Sequence, residues 1–217
     1  MNFPIDDALK QVKKLVATKE VPVISQFADT QRTAYELLIA TILSLRTKDK
    51  TTEKAAKHLF AHAQTPQAMT RLSDSVIERL IYPVGFYKRK AKTIKRISHI
   101  LVKKYQGNVP QSFDALLSLP GVGRKTATLV RIEAFKKLEI CVDTHVHRIS
   151  NRWGYVSTKH SEETERALRR ILPKTDWLSY NRLLVAFGQT VCTPVRPHCS
   201  ICPLTKFCPK HGVSVCR

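Results

Sequence analysis

The sequence predicts an all-α protein, and three observations carry that prediction. Apolar residues recur at spacings of three and four along most of the chain, the period of one helix face. Period-two alternation of Val, Ile, Thr and aromatic residues is scarce. The segments so defined are framed by helix punctuation: Ser, Thr or Asp before them and Gly or Pro after them.

Taken in order, Ile5, Leu9, Val12 and Val16 mark an amphipathic helix over residues 5–17, followed by a polar connector containing Pro22. The run from Ala34 to Leu45 is apolar on most faces and too short to span a bilayer, so it is expected as the buried central helix of a bundle. Asp49 is expected to cap a helix reaching about Phe60, and Thr65-Pro66 opens another through a cap followed by proline. A short helix near Ser75–Ile81 ends at Pro83, and Gly85 turns the chain into a long helix over residues 88–105. That helix carries Ala91, Ile94, Ile97, Leu101 and Tyr105 on one stripe and Lys88, Arg89, Lys92, Lys95 and Arg96 opposite, and Gly107 stops it. Ser112 precedes a short helix, Phe113–Ser118, and a second begins at about Arg124 and runs to Lys136. Helices over 144–152, 161–171 and 176–190 follow, and a cysteine-rich loop closes the chain. There is no internal repeat, low-complexity tract or flexible linker.

The chain of 217 residues is long enough for a substantial core, in one domain or two. Lys plus Arg number 37 against 17 Asp plus Glu, a formal net charge of +20. A charge of that size points to a polyanion, because neutralised phosphates release their condensed counterions. An anionic membrane would call for a basic amphipathic anchor or a lipidation signal, and neither is present. No signal peptide, transit segment or bilayer-length apolar stretch is visible, so we expect an intracellular protein of the cytoplasm or nucleoid. Disulfides are then disfavoured, and the six cysteines need another explanation.

The chemistry concentrates between Leu119 and Asp143. Leu119-Pro120-Gly121-Val122-Gly123-Arg124-Lys125-Thr126-Ala127 reads as a tight glycine turn between two helices. Glycines at alternate positions allow close approach, and the amides opening the second helix suit a phosphate. Lys125 lies in the first turn of that helix, where the positive end of the dipole repels an ammonium. A structural helix would rather have an acid there. Lys125 is therefore a candidate nucleophile, with a further phosphate contact as its simpler role. Asp143 ends the apolar segment Ile140-Cys141-Val142 and can cap the following helix, a role compatible with chemistry.

Leu-Pro-Gly-Val-Gly-Arg-Lys-Thr-Ala at 119–127, Val-Asp-Thr-His at 142–145 with Arg148, and the C-terminal cysteines together resemble the endonuclease III family. These are helix-hairpin-helix DNA glycosylases with AP-lyase activity, and the resemblance runs from Glu36 to Cys208. It implies a two-lobed fold with DNA between the lobes. A six-helix barrel would cover residues 27–137, and residues 1–26 and 138–217 would form an iron–sulfur cluster lobe. It implies excision of oxidised pyrimidines by a monomer acting on double-stranded DNA that contains damaged bases or abasic sites. Lys125 would attack C1′ and form a Schiff base, Asp143 would be the essential carboxylate, and β-elimination would cut the strand 3′ to the abasic sugar. Leu119, Gly121, Val122, Gly123 and Arg124 would hold the DNA backbone. The alternatives are a mismatch or altered-lesion glycosylase, and a non-enzymatic helix-hairpin-helix DNA-binding protein.

The spacing Cys192-x6-Cys199-x2-Cys202-x5-Cys208 suits four thiolate ligands to zinc or to an iron–sulfur cluster. Only one Cys-x-x-Cys pair is present, whereas zinc sites typically use two, and the 6-2-5 spacing resembles the family's [4Fe–4S] loop. Arg196, inside the proline-framed segment between the first two ligands, is placed to meet phosphate. Cys141 and Cys216 are expected as a core thiol and a loose tail thiol. Two further loops resemble those that fill the gap left by a flipped base. Ser44–Asp49 carries Arg46 where the family usually has glutamine. Val84–Tyr87 carries Phe86 as a candidate wedge, with a core aromatic as its plainer role.

Overall fold

The computed structural model describes residues 3–17, 22–30 and 32–217, and among them every regular element is helical. No helix among these residues is long and apolar enough to cross a membrane. The chain divides into two compact units, Val23–Lys137 and Met1–Pro22 with Leu138–Arg217.

The Val23–Lys137 unit is built around α3 (Ala34–Ser44), nine residues of which are buried. Its start is fixed by a capping box: Thr33 accepts from the Glu36 amide while the Glu36 carboxylate accepts from the Thr33 amide. Helices α2 (Val23–Asp29), α4 (Asp49–His62), α7 (Tyr87–Tyr105) and α9 (Arg124–Phe135) pack against it. Two short helices, α5 (Pro66–Arg71) and α6 (Asp74–Ile81), cover α7, and α8 (Phe113–Leu117) lies on α9. Tyr35 and Ser98 share a buried hydroxyl–hydroxyl bond of 2.6 Å.

The second helix corrects the expected polar connector. Residues 18–21 lie outside those described, but Val23, Ile24 and Phe27 form one buried face of α2. Ser25 on the same helix donates to Glu133 of α9 at 2.9 Å. The expected apolar stripe of α7 is present, with Ala91, Ile94, Ile97 and Leu101 fully buried. Gln106 and Gly107 then take left-handed backbone, and the Gly107 amide bonds back to the Leu101 carbonyl at 2.8 Å, closing the helix.

The other unit contains α1 (Ile5–Val16), α10 (Thr144–Arg152), α11 (Ser161–Ile171) and α12 (Trp177–Thr190). Both α1 and α10 pack on α12, burying Ala8, Leu9, Val12, Ile149, Leu184 and Phe187. Phe3 stacks on Trp153 with ring centroids 5.1 Å apart and also meets Phe207 of the cysteine loop at 5.7 Å. The N-terminal segment thereby shares a core with the C-terminal one.

Candidate nucleic-acid interface and cysteine centre

Helices α8 and α9 form a hairpin whose turn is held from the inside. Leu119 and Val122 are only 2% and 6% exposed, and the Val122 amide bonds to the Leu119 carbonyl at 3.2 Å. Both are among the residues expected at the DNA; their side chains anchor the turn in the core, and the Leu119 amide is likewise bonded inward, to the Leu116 carbonyl at 3.1 Å. Gly121 and Gly123 are exposed and differ in kind. Gly121 has φ +74°, and a β-carbon there would lie 3.0 Å from Thr93 Cγ2. Gly123 has ordinary backbone with open space around the missing side chain, and it supplies α9 with no side-chain cap.

These differences predict opposite phenotypes. Gly121→Ala should cost about 1–2 kcal/mol of unfolding free energy through its left-handed backbone. Gly123→Ala should stay within about 0.5 kcal/mol of the parent and, if the turn receives a phosphate, weaken duplex binding by filling the open space there. Urea unfolding and fluorescence anisotropy with a labelled duplex read the two effects separately.

Directly after the turn, Arg124 and Lys125 are exposed in the first turn of α9. The Arg124 guanidinium lies over the Phe113 ring at 5.2 Å, which fixes it beside the turn. In the other unit, Asp143 is 7% exposed and is the cap of α10: its Oδ1 accepts from the His145 and Val146 amides, each at 2.9 Å. Arg148 on that helix donates to the carbonyls of Cys192 at 2.9 Å and Gly188 at 3.3 Å, tying α10 to the end of α12.

The other two expected loops meet within the Val23–Lys137 unit. Arg46 and Phe86 both have left-handed backbone, with φ of 53° and 59°. Phe86 is 61% exposed, which removes the core-aromatic reading, and the Arg46 guanidinium lies 5.8 Å from its ring centroid. Gly85 is where the loops touch, since a β-carbon there would sit 2.7 Å from the Arg46 carbonyl oxygen.

The residue that sequence reasoning missed is Lys90. It lies on α7 between Arg89 and Ala91, looks like one more base of a basic helix, and is 7% exposed. Its ammonium donates to the Leu43 carbonyl at 2.7 Å, the Leu45 carbonyl at 2.5 Å and Thr47 Oγ1 at 3.0 Å. Burial pushes its pKa down to about 8. The acceptors, at the negative end of α3, favour the charged form against that burial.

The four spaced cysteines Cys192, Cys199, Cys202 and Cys208 line one small pocket, together with Trp153, Phe187, Val191 and Val213. Burial pushes the Cys202 thiol up to about 11, with the neighbouring cysteines adding to the rise, and it raises Cys199 and Cys208 too. Several thiolates against an apolar wall need a cationic centre to hold them ionised, so the donor set fits a metal group. Among the described residues no three His, Cys, Asp or Glu groups converge tightly enough to hold one metal ion.

Buried Arg152 braces this loop, donating to Thr193 and Pro194 carbonyls at 2.7 Å each and to Cys192 Sγ at 3.4 Å. Arg196 is exposed with φ 49°, beside a carbonyl-rich turn held by Thr193. Cys141 is buried as expected. Cys216 is an exposed free thiol on a tail that is held next to it: the Ser200 amide bonds to the Arg217 carbonyl and the Arg217 amide to the Pro197 carbonyl, both at 2.8 Å.

An all-helical protein with an exposed glycine hairpin, a lysine behind it and a four-cysteine loop is of the helix-hairpin-helix class of DNA-repair folds. Residues 39–174 match the HhH-GPD superfamily of base excision DNA repair proteins. The chain belongs to that superfamily and, within it, to the endonuclease III family. It is 49% identical over 174 residues to endonuclease III of Thermotoga maritima, covering 80% of this chain and 82% of that one. It is 43% identical over 220 residues to endonuclease III homolog 2, chloroplastic, of Arabidopsis thaliana, covering 94% of this chain but only 57% of the relative's length. Among solved structures, a trapped endonuclease III–DNA covalent intermediate matches with a TM-score of 0.84 at 34% identity, over 95% of this chain and 94% of that chain.

Proposed function

We propose that the protein is a bifunctional DNA glycosylase of base excision repair, which removes oxidised pyrimidines from duplex DNA and cuts the strand by AP-lyase chemistry. The observation that carries this reading is Lys125, an exposed amine in the first turn of α9 directly behind the glycine turn. The likeness to an endonuclease III trapped covalently on DNA supports it.

The chemistry follows from an amine at that place. With the damaged nucleotide out of the stack, Lys125 Nζ forms a bond to C1′ as the C1′–N bond breaks, and the base leaves with the bonding pair and takes up a proton. Opening of the sugar gives an iminium on Lys125. Loss of a C2′ proton then expels the 3′ phosphate, and water releases the lysine. Asp143 supplies the negative charge that steadies the positive sugar during the first step. Gly121, Gly123, Arg124 and Arg196 hold phosphates, with Leu119 and Val122 serving the DNA contact by anchoring the turn from the core. A single copy serves one lesion.

Cys192, Cys199, Cys202 and Cys208 would hold a [4Fe–4S] cluster that staples the C-terminal loop and presents Arg196. The cysteine spacing and their shared cavity support the cluster.

The test is a panel of duplexes carrying thymine glycol or 5-hydroxycytosine opposite each base, alongside a guanine·thymine mismatch. Nicking at the oxidised pyrimidines with an unsaturated aldehyde 3′ end is expected. Nicking at the mismatch only would favour the second reading, a mismatch or altered-lesion enzyme. Arg46 supports that reading, since its donors suit the O6 and N7 acceptors of guanine. Iron and sulfide near four per chain are expected, and stoichiometric zinc without sulfide would overturn the cluster.

A further inference from the structure

We propose that Lys90 is a positioning residue: from the core it locks the turns carrying Arg46 and Phe86 into one rigid probe that occupies the space an extruded base vacates. The proposal rests on the proposed function, because the probe has a use only where a base leaves the stack.

Both turns carry a backbone cost. Arg46 and Phe86 hold left-handed conformations, which an L side chain adopts reluctantly. Such conformations persist only where surrounding bonds over-determine them. Those bonds converge on Lys90. Its three acceptors are the Leu43 and Leu45 carbonyls and Thr47 Oγ1, which run from the end of α3 into the turn on both sides of Arg46. Thr47 Oγ1 also accepts from the Gly85 amide at 3.2 Å, the residue before Phe86. Lys90 itself lies one helical turn beyond Phe86, and its amide bonds to the Phe86 carbonyl at 3.0 Å. The second turn is thus held at both Gly85 and Phe86, the first at Leu43, Leu45 and Thr47, and one lysine and one hydroxyl join the two.

The missing side chain of Gly85 lets the backbones meet, and the guanidinium of Arg46 then rests over the Phe86 ring. Three ammonium donors matched to three acceptors use the full capacity of the group, so nothing simpler than a lysine satisfies all of them. A wedge must push against a base pair without folding back. Its stiffness comes from this strut and not from the exposed side chains.

The test is a mutant cycle on excision of thymine glycol from a duplex, measured in single turnover. Lys90→Met is expected to slow excision roughly 10- to 100-fold. The Arg46→Ala/Phe86→Ala pair is expected to slow it comparably or more, and adding Lys90→Met to that pair should change the rate less than about threefold. Thr47→Val should repeat the pattern and Thr47→Ser should restore the parent rate, which covers the case of Lys90→Met failing to fold. Multiplying effects of Lys90→Met or Thr47→Val with the probe pair, or a parent-like rate in both variants, would overturn the strut. A parent enzyme that neither excises the lesion nor nicks a preformed abasic site would overturn the proposed function instead.

Discussion

Lys125→Ala is expected to abolish the borohydride-trapped adduct with abasic-site DNA and to slow strand cleavage by roughly 10³-fold or more. The side chain is exposed, so its removal should leave unfolding free energy within about 0.5 kcal/mol of the parent. Duplex affinity should fall only as far as the removal of one phosphate-binding cation requires, with the salt slope reduced by about one unit. The three readouts together separate a nucleophile from a phosphate ligand. If Lys125 were only one phosphate-binding base among 37 basic residues, its removal would weaken binding modestly and leave trapping in place. An adduct that persists undiminished in the variant would remove Lys125 from the chemistry, and Lys125→Arg guards against a pure charge effect. Arginine keeps the positive charge beside the glycine turn but presents no primary amine, so it should bind like the parent and trap nothing.

How far the sequence revealed this molecule depends on what each residue had to announce. The buried α3 was visible because its side chains are apolar on most faces, and α7 because its stripe recurs at helical spacing. Helix α2 was hidden by its neighbourhood, since seven residues behind a proline in a polar stretch give periodicity too little length. Leu119 and Val122 came with a functional motif and were read as part of its surface, although two apolar residues flanking a glycine turn are what pins such a turn to a core. Phe86 could be settled only by exposure, which a sequence does not record.

Lys90 was invisible for a deeper reason. Nothing in one lysine among many distinguishes a solvated ammonium from one buried against the end of another helix, because its acceptors lie more than forty residues away. Arg152 was hidden in the same way, with its acceptors on a loop 40 residues downstream. The catalytic candidates were legible because their positions are locally anomalous. The struts were not, because their purpose is non-local.

Asp143 poses the sharpest remaining question, since the structure gives it a full structural occupation. Its Oδ1 caps α10 through two amides, and capping alone would account for an aspartate there. Asparagine divides the two roles. It keeps an oxygen acceptor of the same reach and ranks beside aspartate at helix N-caps, so Asp143→Asn should retain the cap and lose about 0.3–1 kcal/mol from the helix dipole. Asp143→Ala should lose the cap itself, at about 0.5–2 kcal/mol. If Asp143 is only a cap, excision should track stability, with the asparagine variant close to the parent and the alanine variant worse. If its charge steadies the positive sugar, excision should fall by roughly 10²–10³-fold in both variants, whatever their melting temperatures. The expected result is the second, with affinity for undamaged duplex unchanged or slightly tighter because one negative charge has gone. Thermal melting beside single-turnover excision decides it. The asparagine variant carries the weight, because in it the fold is held constant while the charge is removed.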